Sequence, residues 1–78
     1  MAVSAYVFIN VRSGNAINAV EDIRKVQGVK QAHLVTGLHD IIVYVESDDV
    51  NTLGKMVVTQ IQKVPGVDRT ITCLTVQG

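Results

Sequence analysis

Two stretches of this chain read alike, Val20-Glu21-Asp22-Ile23-Arg24-Lys25-Val26-Gln27-Gly28-Val29 and Val58-Thr59-Gln60-Ile61-Gln62-Lys63-Val64-Pro65-Gly66-Val67, each of the form V-x-x-I-x-K-V-x-G-V. In both, apolar positions recur at helical spacing, and the glycine marks a left-handed helix stop ahead of an extended segment. The same offset of 38 residues aligns Tyr6 with Tyr44 and Val7 with Val45, giving eight identities in one register across 78 residues. Two βαβ units in tandem are expected.

Upstream of the first stretch, Val3, Ala5, Val7, Ile9 and Val11 alternate with Ser4, Tyr6, Phe8 and Asn10, the period of a strand. Ser13 or Asn15 can cap the helix that follows, whose stripe is Ala16, Ala19, Val20, Ile23 and Val26. Beyond Gly28 the chain is extended to about Thr36, breaks at Gly37 and resumes as Ile41-Ile42-Val43-Tyr44-Val45. A continuous apolar run of that kind suits a strand covered on both faces, central in its sheet. Ser47 or Asp48 can cap a second helix with Val50, Leu53, Val57, Ile61 and Val64 on one face, and Pro65-Gly66 stops it before a last strand from Val67 to Val76. Right-handed crossovers then give an α+β, ferredoxin-like βαββαβ fold, a four-stranded antiparallel sheet with both helices on one face. The whole chain, 1–78, is expected to be a single domain.

A sheet covered on one face leaves Tyr6, Phe8 and part of the Ile41–Val45 strand on the other, and apolar patches of that kind mark interfaces. A chain this short buries only about 60% of its unfolded surface. Sheet-to-sheet homodimerisation, the dimeric α/β barrel arrangement, is the expected solution.

Composition narrows the function. Fifteen valines and 47% apolar residues belong to a folded aliphatic core, and seven basic against seven acidic residues leave no charge footprint for nucleic-acid binding. The single cysteine, Cys73, forms no internal disulfide and favours a cytoplasmic protein; no apolar run approaches the roughly 18 residues of a membrane span. No nucleophile elbow, Walker loop, GxGxxG, HExxH or CxxC is present, so neither an enzyme nor a cofactor is expected. His33 and His39 lack companion ligands at metal spacing.

Two segments stand out as binding candidates. Thr36-Gly37-Leu38-His39-Asp40 joins two strands; as a turn it needs only the positive φ of Gly37, but its backbone N–H groups beside the Asp40 carboxylate can also hold a zwitterion. Thr70 and Thr72 share one face of the last strand, through ordinary β propensity or as the lining of a polar pocket.

Thr36-Gly37-x-x-Asp40 ahead of an apolar strand, the acidic helix start Asp48-Asp49, and Pro65-Gly66-Val67-x-x-Thr70-x-Thr72 together resemble the C-terminal effector (RAM) domain of the Lrp/AsnC transcription regulators. The resemblance covers nearly the whole chain. It implies a domain that dimerises through its sheets, assembles into rings of four dimers, and binds amino acids or similar small effectors. Carried over, the effector contacts fall on Gly37, Leu38 and Asp40, with Thr36, Thr70 and Thr72 around them and His39 at a variable position that tunes side-chain preference. Regulators of that family carry a helix-turn-helix domain before the effector domain, whereas this sequence opens on the first strand. The expectation is therefore a stand-alone, non-enzymatic form that modulates transcription by assembly with full-length regulators and does not itself bind DNA. A small cofactor-free enzyme, monooxygenase-like, on the same dimeric α/β-barrel frame is the alternative.

Overall fold

The structure, a computed structural model, describes residues 2–76. Strand β1 (Val3–Val11) leads to helix α1 (Ala16–Arg24), then strands β2 (Val29–Leu34) and β3 (Ile41–Ser47), helix α2 (Val50–Met56) and strand β4 (Val67–Leu74). The sheet is antiparallel throughout in the order β2-β3-β1-β4, the ferredoxin-like topology. Among the described residues no helix is long and apolar enough to cross a membrane.

The duplication sets the centre of the sheet. In the β1–β3 ladder Tyr6 lies opposite Tyr44, its own repeat equivalent, and their rings meet at 5.1 Å. A local two-fold axis therefore passes between these two tyrosines. It relates Ala5 and Val7 of β1 to Val43 and Val45 of β3, all four fully buried under the helices.

The core is one aliphatic cluster. Ala5, Val7 and Ile9, Ile41, Val43 and Val45, and Ala32 of β2 meet Ala19, Val20 and Ile23 from α1 and Leu53, Val57, Ile61 and Val64 from the second helical segment. The expected stripes differ at their ends. Ala16 and Val26 are only partly buried, and Val50, in the first turn of α2, is exposed. The stripe Leu53, Val57, Ile61 runs in steps of four, which advance about 40° each on an α-helix. The chain corrects this drift by widening into a π-type turn over Val57–Ile61, closed by Gln62 N–H donating to Val57 C=O at 2.8 Å, and this turn brings Ile61 back into the core.

The helix starts also depart from expectation. The cap of α2 is Asp49 rather than Ser47 or Asp48; its carboxylate accepts from Thr52 N–H at 2.7 Å. Asn15 occupies the N-cap position of α1 but makes no side-chain cap bond. Its side chain instead lies against Gly66, where an added Cβ would approach Asn15 Cβ to 2.5 Å.

The β3 strand is central, as its apolar run predicts, yet only one of its faces is covered within the chain: Ile42 and Tyr44 are half-buried on the side away from the helices. With Tyr6 and Ile71, each 45% exposed, and half-buried Phe8, they form the open apolar face of the sheet. The last strand ends at Leu74 rather than Val76, and β2 at Leu34 rather than Thr36.

Candidate functional site at the hairpin end of the sheet

The hairpin between β2 and β3 is built on Gly37, whose φ of +130° closes the turn at a position where side chains rarely fit. Thr36 and Gly37 are exposed, and Leu38 is 90% exposed, a large apolar side chain held in solvent. What fixes the tip is β1. Asn10 Nδ2 donates to Leu38 C=O at 2.9 Å, and Asn10 Oδ1 lies 3.1 Å from His39 Nδ1. With the amide so oriented, Oδ1 is the acceptor and His39 Nδ1 the donor of that contact. The His39 ring also lies 5.1 Å from the ring of Phe8.

Asp40 performs a structural task. Its backbone N–H donates to Ile9 C=O, and its Oδ2 accepts from Val11 N–H at 2.9 Å. Val11 sits where the β1–β4 register shifts, Asn10 facing Arg69 but Val11 facing Val67, with Asp68 the extra residue of a β-bulge. One carboxylate oxygen thus satisfies a donor at the end of β1 and ties the hairpin to it. The charge-assisted bond supplies roughly 1.5–3 kcal/mol.

Thr70 and Thr72 face the other side of the sheet. They pair with Ile9 and Val7, whose side chains are buried under the helices, and Thr70 Oγ1 accepts from Gln62 Nε2 at 2.9 Å. Within one chain, therefore, Leu38 and His39 come together on the open face, while the two threonines border the helix layer at the β4 edge. Around Leu38 and His39 lies an open depression of about 430 Å³, completed by Asn10, Asp68, Arg69 and Ile71. Sequence reasoning missed Asn10, Asp68 and Arg69, since their approach to the hairpin depends on strand register and a bulge. A larger depression of about 660 Å³ lies at the opposite end, where Lys30 and Lys55 are balanced by Glu46 and Asp48, and none of the sequence candidates borders it. Among the described residues no group of three or more His, Cys, Asp or Glu side chains is placed to hold a metal ion.

A four-stranded antiparallel sheet with helices on one face, an open apolar face on the other and a glycine hairpin anchored to β1 defines a small ferredoxin-like α+β domain. Residues 4–77 match the model of the Lrp/AsnC ligand binding domain, and the chain belongs to that family. It is 27% identical over 78 residues to an uncharacterized HTH-type transcriptional regulator, PF0250 of Pyrococcus furiosus, matching 96% of this chain and 52% of the regulator. The chain thus spans about half the length of the curated relatives it matches. Among solved structures, TTHA0845 from Thermus thermophilus superposes with a TM-score of 0.91 at 30% identity, covering 97% of this chain and 95% of that one. The transcriptional regulator NMB0573 from Neisseria meningitidis, solved as an L-Met complex, shares the fold with a TM-score of 0.81 at 20% identity, covering 96% of this chain and 50% of that one.

Proposed function

We propose that this chain is a non-enzymatic, cytoplasmic amino-acid-binding and oligomerisation module that modulates transcription by assembling with Lrp/AsnC-type regulators. The observation that carries this reading is the match of residues 4–77 to a ligand-binding domain whose relatives are transcription regulators. Support for the ligand class comes from the L-Met complex of a protein with the same fold. The Thr36–Asp40 hairpin, with Gly37, Leu38, His39 and Asp40 at its centre, is the site in this reading, and Thr70 and Thr72 join it from another chain of the assembly. The open face of Tyr6, Phe8, Ile42, Tyr44 and Ile71 pairs with a second copy, and dimers assemble further into a ring.

Titration calorimetry with the twenty L-amino acids tests the ligand claim; heat from at least one, weakened in Asp40→Ala, is expected, and no heat from any of them rejects it. Light scattering tests the assembly. A wild-type dimer or larger species is expected, with Ile42→Glu, on the open face, shifting it toward the 8.4 kDa chain. A wild-type monomer at all concentrations rejects the dimer.

A further inference from the structure

Strand register fixes what the open face of the sheet carries besides its aromatic and aliphatic groups. Ala32 of β2 is buried under the helices, so His33, the next residue, stands on the open face, exposed and paired with Ile42 of β3. Ile42 in turn pairs with Phe8 of β1, and Phe8 with Ile71 of β4. His39 lies against the same row, its ring 5.1 Å from that of Phe8 and its Nδ1 3.1 Å from Asn10 Oδ1. Two imidazoles thus border one apolar row at the hairpin end of the sheet. The neighbouring row holds Gln31, Tyr44, Tyr6 and Cys73, an amide, two phenols and a thiol.

We propose that protonation of His33 and His39 opens the sheet-to-sheet dimer, so that the assembly of this chain is set by pH between about 5 and 8. The inference rests on the dimer reading above and adds a control to it. Histidine is the one side-chain type whose ordinary titration falls in that interval. A neutral imidazole enters an apolar interface at modest cost, whereas an imidazolium loses its hydration there and needs a carboxylate partner. His33 has Ile42 across from it and Tyr44 diagonally on β3, and the nearby charge on its other side is the Arg24 guanidinium, bonded to Ala32 C=O. None of these three stabilises a second positive charge. His39 has mixed company: Asp40, with Oδ2 accepting from Val11 N–H, follows it in the chain, and Asp68 and Arg69 border the same depression. His33 is therefore expected to carry the larger share. The free chain takes up protons that the dimer excludes. By linkage the dimer is at full strength above the ordinary histidine value of about 6.5 and weakens as pH falls below it, by up to about tenfold per excluded proton and pH unit.

Sedimentation velocity without added amino acid, over a dilution series at pH 7.5 and at pH 5.5, reads the dimer dissociation constant, and far-UV circular dichroism checks the fold at both. Both values lie above the ordinary titration of carboxylates. Wild type is expected to dissociate at least tenfold more readily at pH 5.5. His33→Gln should remove most of that difference, and His33→Gln with His39→Gln should leave less than threefold. Should His39→Gln loosen the hairpin, His33→Gln alone decides; should wild type dimerise too tightly to dilute apart, the same comparison is made in an Ile42→Ala background. A dimer whose dissociation constant changes less than threefold between the two pH values overturns this inference and leaves the dimer reading intact. An equal pH response in wild type and the double variant overturns it as well, since the titrating groups are then not these histidines. A wild-type monomer at both pH values rejects both.

Discussion

The edge strands β2 and β4 occupy equivalent places in the repeat but not equivalent places in the sheet. Within each half the helix-to-edge relation is preserved. Arg24 donates from Nε and Nη2 to Ala32 C=O at 3.0 and 2.8 Å, and Gln62, its counterpart 38 residues on, donates to Thr70, the counterpart of Ala32. Against the central strands the halves differ. Ala32 pairs with Val43 of β3, so strict symmetry would pair Thr70 with Ala5 of β1; it pairs with Ile9. The loop bonds agree, with Gly28 C=O accepting from Glu46 N–H and Gly66 C=O from Arg12 N–H rather than from Phe8. The second helix-strand unit is displaced by four residues, about 13 Å along the sheet.

An even displacement keeps every side chain on its face, which is why the core tolerates it. In compensation α2 begins at Val50, four residues earlier than the repeat equivalent of the α1 start at Ala16, and the π-type turn restores its buried line. The consequence is local to one end of the sheet: Asp68 and Arg69 arrive beside the β2–β3 hairpin, where unshifted pairing would have started β4 in the middle of β1. A duplicated frame thus acquires a depression beside the hairpin. The difference teaches that the core follows the repeat while the depression beside the hairpin comes from the break in it.

Where the halves agree, matched substitutions should cost alike. Ile23→Ala and Ile61→Ala each delete a fully buried side chain and are expected to destabilise by about 2–5 kcal/mol, within roughly 1 kcal/mol of each other. Urea unfolding measures both, and a much cheaper Ile61→Ala would mean that the π-type turn absorbs the cavity and the halves are not equivalent in the core. Where they differ, matched substitutions should separate. Gly28 and Gly66 both have positive φ, +98° and +91°, so alanine costs about 1–2 kcal/mol at either. At Gly66 the new Cβ also meets Asn15 Cβ at 2.5 Å, against 3.0 Å from Glu46 C=O at Gly28, and Gly66→Ala should be the worse by about 1 kcal/mol or more. Asn15→Gly in the Gly66→Ala background should recover part of that gap; no recovery would place the strain elsewhere.

A smaller effect is expected at the edges. Arg24→Ala frees a carbonyl on the β2 edge and Gln62→Ala a hydroxyl on the β4 edge, each within about 1 kcal/mol, with Arg24→Ala the larger because it removes a charged donor making two bonds to one acceptor. Equal unfolding midpoints for the two would blur the distinction. The finest difference is electrostatic. Hydrogen bonds from Thr52 hold the Asp49 carboxyl below its ordinary value of 3.8, so its stabilising contribution is complete above that pH and is lost as the pH falls through the lowered value. The gap in thermal midpoint between wild type and Asp49→Ala should accordingly close in strong acid, whereas Asn15→Ala, at a helix start without a side-chain cap bond, should show no such closure.

Much of this was legible in the residues. The alternation in Val3–Val11 and the twice-written helix-glycine-strand block led to the element order and the covered face. Tyr6 and Tyr44, matched in the repeat, were already the pair that the ladder would centre on. The stop at Leu74 was not legible, because strand propensity runs on past it and Thr75 N–H still donates to Ser4 C=O of β1. Nor was the cap at Asp49, since three successive residues, Ser47, Asp48 and Asp49, can all cap and only the backbone decides which one stands outside the helix.

For the site the division is sharper. The Thr36–Asp40 hairpin announced itself by composition, because a glycine of positive φ and an acid beside it are local requirements. That Asp40 would satisfy Val11 N–H could not be read, for the donor is freed only by the register shift opposite it. The sequence by itself determined periodicity, and through it which residues are core, which face is open and that the halves are related. Only the tertiary structure decided the relative slide of the halves and the bulge at Asp68. Face alternation is unchanged by a shift of four, so no local pattern distinguishes one register from the other.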